Sequence, residues 1–206
     1  MFWSILDEER RQVLPALELA RDEGFYLAGG TALALHIGHR DSVDFDFFKR
    51  DEFSTGQLFD RLIEVFGDRA VVKMQDERNT LSMVVSESIK LRFQRYPYVL
   101  LRPLDITDYL DLADMADIGC MKLSAITGRG TMKDYVDLYF ILQRIPLEEL
   151  LALCAVKLPQ LDRALILKAL VFFDDVDNDP ILCMKDHSVP FDKVKKYLME
   201  QAGKGY

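Results

Sequence analysis

Alternation of hydrophobic and polar residues predicts several β-strands in the first half of the chain. The stretch SVDFDFF, residues 42–48, alternates with a period of two, which is typical of a strand with one buried face. Runs of strand-forming residues also occupy 70–75, 80–85 and 88–96. The segment FYLAGG, residues 25–30, predicts a short strand that ends at a glycine turn. Together these segments predict a mixed β-sheet.

Helical periodicity surrounds these strands and dominates the second half. Amphipathic patterns predict helices at 7–24, with Pro15 inside, and at 54–66. The segment TALALHIG predicts a helix with Thr31 as its N-cap and Gly38 as its end. The helices predicted in the second half span residues 107–127, 131–143, 147–156, 159–173 and 192–201.

This order of elements predicts an α+β fold. We expect a mixed β-sheet with flanking helices over residues 1–103. Residues 104–206 would form a helical C-terminal region that packs on the sheet and completes the site.

Composition and charge exclude some classes of function. The chain has 206 residues, 50% of them hydrophobic, and a formal net charge of -8. A surface of this sign does not bind nucleic acid or an anionic membrane through its overall field, so a phosphate-bearing partner needs a local basic patch or a metal. Three widely spaced cysteines in apolar surroundings indicate reduced core residues. No apolar run reaches membrane-spanning length, and we expect a cytoplasmic protein without a membrane partner.

Two aspartates on the alternating strand are the first candidate site. Asp44 and Asp46 would share one face, about 6.6 Å apart along the strand at ~3.3 Å per residue, while Val43, Phe45 and Phe47 would face the core. Paired carboxylates can hold Mg²⁺, which prefers oxygen ligands. The alternative is a surface strand with two solvated acids.

The glycines before the strand favour the metal interpretation. Gly29 and Gly30 let backbone N–H groups approach a ligand closely, and Thr31 opens a helix whose N-terminus attracts anions. A phosphate cradle would therefore face a candidate metal site. A strand, a Gly-Gly turn, a short helix and a D-x-D strand are typical of the nucleotidyltransferase fold. The third glycine of a dinucleotide-binding fingerprint is missing.

Two longer motifs resemble a known family. The segments GGTALALHIGHRDSVDFDFF and DIGCMKLSAITGRGTMKDYVDLYFIL resemble the AbiEii/AbiGii-type nucleotidyltransferase toxins, and above all their small single-chain members. The similarity continues through LVFFDDVDNDP and FDKVKKYLMEQ, so it covers nearly the whole chain. The resemblance implies transfer of a nucleotide from a nucleoside triphosphate, with Mg²⁺ or Mn²⁺, to an acceptor that is RNA, and in some members tRNA. It also implies a toxin role and a cognate antitoxin.

The resemblance implies roles for residues of the first motif. Gly29, Gly30 and Thr31 would hold the triphosphate, and Asp44 and Asp46 would hold the metal.

Two residues between the glycines and the aspartates have two open interpretations. Arg40 and Ser42 would line the same mouth and contact phosphate or neighbouring backbone. Alternatively, Arg40 forms a structural salt bridge and Ser42 a turn.

The second motif contributes a lysine and two aspartates. Lys122 lies on an apolar stripe, so it must reach water or find an anion, and the resemblance implies a nucleotide phosphate. Asp134 stands three residues after Thr131, in capping-box position. Asp137 has apolar neighbours and would be costly to bury unpaired, so the residues favour it as the functional acid. The resemblance implies that one of the two aspartates completes the catalytic site.

One departure from the family pattern concerns a third carboxylate. Active nucleotidyltransferases usually carry it on a neighbouring strand, but residues 88–96 instead show Lys90, Arg92 and Gln94 on one face. Either Asp134 or Asp137 replaces it, or catalysis is altered. The alternative function is a catalytically decayed module that binds nucleotide, RNA or a partner protein.

Overall fold

The computed structural model describes residues 1–174, 176, 183–184 and 187–204, with the backbone alone at position 129. The segment LVFFDDVDNDP therefore lies partly outside the described residues. Within the described residues, no helix has both the length and the apolar character needed to cross a membrane.

Strands of the described chain form one mixed sheet. Their bounds are β1 Tyr26–Ala28, β2 Asp44–Lys49, β3 Val71–Glu77, β4 Thr80–Val85, β5 Ile89–Arg95, β6 Asp105–Ile106 and β7 Asp111–Leu112. The spatial order is β3-β4-β5-β2-β1-β7-β6. The pairs β2–β5 and β1–β7 are parallel, and the other neighbours are antiparallel. Strand β2 thus lies at the centre of the sheet, and the mixed sheet confirms the α+β prediction.

Helices flank the sheet and fill the second half. Their bounds are α1 Glu8–Val13, α2 Glu18–Asp22, α3 Gly29–Ile37, α4 Thr55–Phe66, α5 Met115–Arg129, α6 Met132–Ile141, α7 Leu147–Lys157, α8 Arg163–Leu170 and α9 Phe191–Lys204. Helix α3 packs on β2 and also on α5 and α6, and this contact joins the glycine turn to the helical half.

Two helix boundaries differ from the prediction. The predicted helix at 7–24 is divided by a 3₁₀ turn at Leu14–Leu17, because Pro15 has no N–H to continue an α-helix. Helix α3 begins at Gly29 with Ala28 as its N-cap, so the prediction of Thr31 as N-cap is wrong. Gly38 does end the helix, in the left-handed conformation with φ 66°.

A short hairpin replaces the start of the predicted helix at 107–127. Helix α5 begins only after Asp114, whose side chain accepts a hydrogen bond from the backbone N–H of Ala116. The preceding residues form β6 and β7, and Leu112 of β7 pairs with Leu27 of β1. The sheet therefore continues past residue 103, while the division into regions 1–103 and 104–206 stays a prediction.

The central strand has the predicted alternation, with one exception. Phe45 and Phe47 are buried, and the ring of Phe47 stacks on Phe93 of β5 at 5.0 Å between centroids. Val43 is 41% exposed because it precedes the strand, so its predicted place in the core is wrong. Since side chains alternate along a strand, Asp44 and Asp46 project from the opposite face to the two phenylalanines.

Candidate active site

A cavity of ≈ 330 Å³ lies where β2, the first turn of α3 and helices α5 and α6 meet. Asp44 and Asp46 line it from β2, and Gly30 lines it from α3. Lys122 of α5 and Asp134 of α6 line the side that the helical half contributes. Residues predicted from both motifs therefore border one cavity, although they are far apart in sequence.

The two strand aspartates are partly buried. Neither carboxylate makes a hydrogen bond or an ion pair with any residue that the structure describes. Burial, together with the negative charge of Asp44, raises the pKa of Asp46, and the positive charge of Arg92 opposes this shift. Free carboxylate oxygens at a cavity wall are available to a cation.

The donor set suits a hard divalent cation. Across the described ranges, no group of three or more His, Cys, Asp or Glu side chains could hold a metal ion, so the protein would supply two carboxylates. Mg²⁺ is commonly bound by one or two carboxylates together with water and substrate phosphates. Asp44 and Asp46 fit Mg²⁺ or Mn²⁺ bound in this way, with part of the coordination left to a nucleotide.

The glycine pair allows close approach of side chains to the first turn of α3. Gly29 has φ 69°, which residues with a side chain rarely adopt, and a Cβ there would lie 3.1 Å from Asp46 Oδ2. A Cβ at Gly30 would collide with the guanidinium of Arg40 and lie 3.2 Å from Ser42 Oγ. No side chain caps the N-terminus of α3. The first-turn N–H groups are therefore not satisfied by a capping side chain and can bind an anion.

Thr31 and Ser42 join α3 to the start of β2. The buried hydroxyl of Thr31 donates to the backbone carbonyl of Asp44 and lies 2.8 Å from Ser42 Oγ. Ser42 lines the cavity, whereas Gly29 and Thr31 are not among its lining residues. Thr31 thus fixes the position of Asp44 relative to the helix, and its role in triphosphate binding stays a prediction.

Asp137 of α6 is the centre of a buried charge cluster. Its Oδ1 accepts hydrogen bonds from His39 Nε2 at 2.7 Å and Arg40 Nε at 2.7 Å, and its Oδ2 accepts one from Arg40 Nη2 at 2.9 Å. Lys122 Nζ lies 2.7 Å from Oδ2. Burial opposes ionisation, but the charges of Lys122 and Arg40 and the hydrogen bonds outweigh it and hold the pKa of Asp137 well below its usual range.

Arg40 forms the structural salt bridge that the sequence left open, while its contact with phosphate stays a prediction. It forms the buried salt bridge to Asp137 and also lines the cavity beside Gly30. Its Nη1 donates to the backbone carbonyl of Asp41 at 2.9 Å, which holds the loop before β2.

The ammonium group of Lys122 contacts carboxylates and is largely shielded from water. Its Nζ lies 2.8 Å from Asp134 Oδ1 and 2.7 Å from Asp137 Oδ2, and the residue is only 8% exposed. Burial opposes its charge, but the two aspartates outweigh burial and raise the pKa of Lys122. An ammonium group has three N–H donors, so these two contacts leave one for the cavity.

The two aspartates of α6 occupy different positions. Asp134 forms the predicted capping box, because its Oδ2 accepts a hydrogen bond from the backbone N–H of Thr131 at 2.9 Å, and it also lines the cavity. Asp137 is completely buried and is not a lining residue, although the sequence favoured it as the functional acid. The structure gives Asp137 a contact to the cavity only through Lys122 and Arg40.

The sequence did not identify the partners of three buried polar residues. His39 hydrogen bonds to Asp137, and Lys157 Nζ pairs with Asp117 Oδ1 at 2.6 Å inside the helical half. Asp117 also accepts hydrogen bonds from the backbone N–H groups of Leu101 and Arg102, so it ties the segment before β6 to α5. Asp117 and Lys157 are charged residues at apolar helix positions, and that signal could have identified them.

Comparisons with known proteins show the family and the fold of the chain. A sequence profile of the family described as nucleotidyl transferase AbiEii toxin, type IV TA system, matches residues 13–108 and 107–201. An uncharacterized protein of Aquifex aeolicus (strain VF5) is 37% identical over 180 residues, which span 82% of this chain and 84% of that protein.

Solved structures share the fold at low sequence identity. A candidate nucleotidyltransferase from H. pylori has a TM-score of 0.63 and 20% identity, covering 97% of this chain and 95% of its own. MenT4, a nucleotidyltransferase toxin from Mycobacterium tuberculosis H37Rv, has a TM-score of 0.56 and 18% identity, covering 86% and 74%. The chain therefore belongs to the AbiEii family of nucleotidyl transferase toxins.

Proposed function

We propose that this nucleotidyltransferase requires Mg²⁺ or Mn²⁺ and transfers a nucleotide from a nucleoside triphosphate to a hydroxyl of RNA, with tRNA as the acceptor class. One observation carries the proposal: Asp44 and Asp46 have no partner among the described residues and line a cavity that Gly30 and Lys122 also border. In this proposal residues 1–103 supply the metal ligands and the anion-binding helix end, and residues 104–206 supply Lys122 and Asp134.

The reaction forms and breaks one phosphorus–oxygen bond. The acceptor hydroxyl oxygen attacks the α-phosphorus, the bond from that phosphorus to the oxygen that bridges it to the β-phosphorus breaks, pyrophosphate leaves, and the hydroxyl proton is released to water. A divalent cation held by Asp44 and Asp46 would neutralise charge that develops on the phosphates. The N–H groups at the start of α3 and the remaining donor of Lys122 orient the triphosphate.

Asp134 and Asp137 act through other residues in this proposal. Both oxygens of Asp134 are engaged, Oδ1 by Lys122 and Oδ2 by Thr131, and both oxygens of Asp137 are engaged by cations or His39. Asp137 has two contacts on each oxygen and does not line the cavity, so it is a poor acceptor for the proton of the attacking hydroxyl. We assign to both aspartates the positioning of Lys122, and to Asp137 also that of Arg40.

The biological setting follows from the family. A toxin role in a toxin–antitoxin or phage-defence pair, in the cytoplasm where triphosphates and tRNA are found, belongs to the proposal, as does a cognate antitoxin. MenT4, which has the same fold, is a nucleotidyltransferase toxin and supports this part of the proposal.

A transfer assay tests the proposal. Purified protein is incubated with Mg²⁺, each labelled nucleoside triphosphate and total RNA, beside an Asp44→Ala/Asp46→Ala variant. Glu64→Gln, an exposed change on α4, is the matched carboxylate control. We expect label in RNA with the wild type and the control and none with the double variant. Equal transfer by the double variant contradicts the proposal.

The second candidate function is a binding module without turnover. It is favoured by Arg92, which is the register partner of Asp46 on the strand where the third carboxylate was expected. Triphosphate binding in calorimetry, combined with no transfer to any RNA pool, would establish this alternative.

A further inference from the structure

The open face of the sheet places two cations beside the two strand aspartates. In the parallel pair β2–β5, Lys90 is the register partner of Asp44, and Arg92 is the register partner of Asp46. Neighbouring strands lie about 4.8 Å apart, so the basic side chains stand directly beside the acidic ones. All four residues line a second cavity, of ≈ 280 Å³, next to the first.

The two cations are exposed, and the charge of Arg92 acts on Asp46. Neither Lys90 nor Arg92 makes a hydrogen bond or an ion pair with a residue in the described part of the chain. Other exposed cations nearby do have partners, since Lys73 of β3 pairs with Asp76, and Arg78 in the turn between β3 and β4 pairs with Glu52. Lys90 and Arg92 differ from these cations in forming no ion pair among the described residues, in a chain of net charge -8.

Exposed apolar side chains continue this face toward the edge of the sheet. Met74 on β3 is 66% exposed and lines the second cavity, and Val72, the register partner of Val84, is 57% exposed. Cations beside exposed apolar groups match a nucleic-acid strand, because the cations contact phosphates and the apolar groups contact bases. An acidic triphosphate alone would not need the apolar part of the face.

We propose that this face, formed by Lys90, Arg92 and Met74, binds the 3′-terminal part of the acceptor RNA strand. The inference rests on the proposed function and extends it, since it gives each cavity a separate ligand. The triphosphate occupies the cavity of ≈ 330 Å³, the acceptor end occupies the cavity of ≈ 280 Å³, and the aspartates that line both lie between them. Arg92 then binds a phosphate of the acceptor on the strand where a third carboxylate was expected from the sequence.

An RNA-binding measurement without triphosphate tests the inference. A 5′-labelled single-stranded RNA with a free 3′ hydroxyl is titrated with protein, and fluorescence anisotropy is followed at several salt concentrations. We expect Lys90→Gln/Arg92→Gln to bind roughly tenfold more weakly than the wild type. The salt dependence, the slope of log K against log salt, should become shallower by about 0.7 for each phosphate that the variant no longer neutralises.

The matched control removes the same charge elsewhere on the sheet. Lys73→Gln/Arg78→Gln removes two cations that do not line the second cavity, and we expect it to bind RNA like the wild type. Equal weakening by both double variants would show a general charge effect and overturn the inference. Absence of RNA binding by the wild type overturns the inference as well. A protein would then be the partner that this face binds.

The outcome is separable from that of the transfer assay. Because no triphosphate is present, RNA binding with the predicted variant effect upholds this inference even if no transfer is found. If transfer is found, the double variant should raise KM for RNA at least about fivefold and leave KM for the triphosphate unchanged. A rise in both KM values contradicts separate cavities.

Discussion

Two sides of one cavity carry aspartates in opposite electrostatic situations. On β2, Asp44 and Asp46 face the cavity without a hydrogen bond or ion pair among the described residues. On α6, Asp137 has every oxygen engaged, by His39, Arg40 and Lys122, and is fully buried. The side chains are chemically the same, and their surroundings differ in the supply of positive charge.

The difference shows which acids hold the structure together and which are available to a ligand. The pKa of Asp137 is held well below its usual range, because Lys122 and Arg40 more than compensate for burial. The pKa of Asp46 is raised, because burial and the neighbouring Asp44 outweigh Arg92. The fold is thus stabilised by the charge on Asp137 and destabilised by the charge on Asp46, which a bound cation would offset.

The largest expected effect is on stability, from Asp137→Asn. This change leaves Lys122 and Arg40 buried with less negative charge, and breaking a buried ion pair costs about 3–5 kcal/mol. Urea denaturation measures the loss in the free energy of unfolding. Asp192→Asn, an exposed change on α9, is the control and should leave that free energy unchanged within about 0.5 kcal/mol. A similar small effect for Asp137→Asn would remove the distinction between the two sides of the cavity.

Asp46→Asn should lower transfer activity strongly without lowering stability, in contrast to Asp137→Asn. We expect transfer to fall at least about a hundredfold, equivalent to about 2.7 kcal/mol, because a metal ligand is removed. Stability should stay the same or rise, since the variant removes a buried charge that has no partner among the described residues. The kcat of transfer and urea denaturation are measured on one preparation. Wild-type transfer, or marked unfolding, would show that Asp46 has been assigned wrongly.

Lys122→Gln should affect both properties to an intermediate extent. The variant removes a donor to the triphosphate and an ion pair to Asp134, while Arg40 still neutralises Asp137. We expect a rise of about tenfold in KM for the triphosphate and a decrease of about 1–3 kcal/mol in stability. Lys168→Gln, on the exposed side of α8, serves as control. A decrease in stability without any change in KM would mean that Lys122 has a structural role only.

The smallest expected effect is a pH dependence of the difference in stability between Asp46→Asn and the wild type. Because the pKa of Asp46 is raised in the folded state, its ionisation destabilises the fold at neutral pH. This penalty disappears as the pH falls through the raised pKa toward the ordinary value of 3.8. Thermal unfolding should therefore give Asp46→Asn a higher Tm than the wild type at pH 7. The difference in Tm should be smaller at pH 4. A constant difference would exclude a raised pKa.

The strand side of the cavity was predictable from the sequence. The period-two pattern around Asp44 and Asp46 can be read from the local sequence. Because β2 is a central strand, its side chains alternate as this pattern predicts. The glycine turn was equally predictable, but the residues that contact it in the folded protein were not. The need for glycine at position 30 arises from Arg40, which reaches the first turn of α3 from a loop ten residues later.

The helix side depended on tertiary contacts that a local pattern cannot show. Asp137 pairs with Arg40 and His39 across nearly a hundred residues of sequence, so its burial predicted a partner but not which one. The hairpin of β6 and β7 was missed because strands of two residues have no measurable periodicity. Pairing of β7 with Leu27 stabilises them instead.

Metal-dependent binding of a triphosphate tests the central claim most directly. A nucleoside triphosphate analogue that cannot be cleaved at the α-phosphate is titrated, with and without Mg²⁺, into the wild type, Asp44→Asn/Asp46→Asn and Glu64→Gln in a calorimeter. We predict binding that requires Mg²⁺ in the wild type and in Glu64→Gln, and at least tenfold weaker binding in the double variant. Equal affinity in all three proteins, or affinity independent of Mg²⁺, would contradict the account.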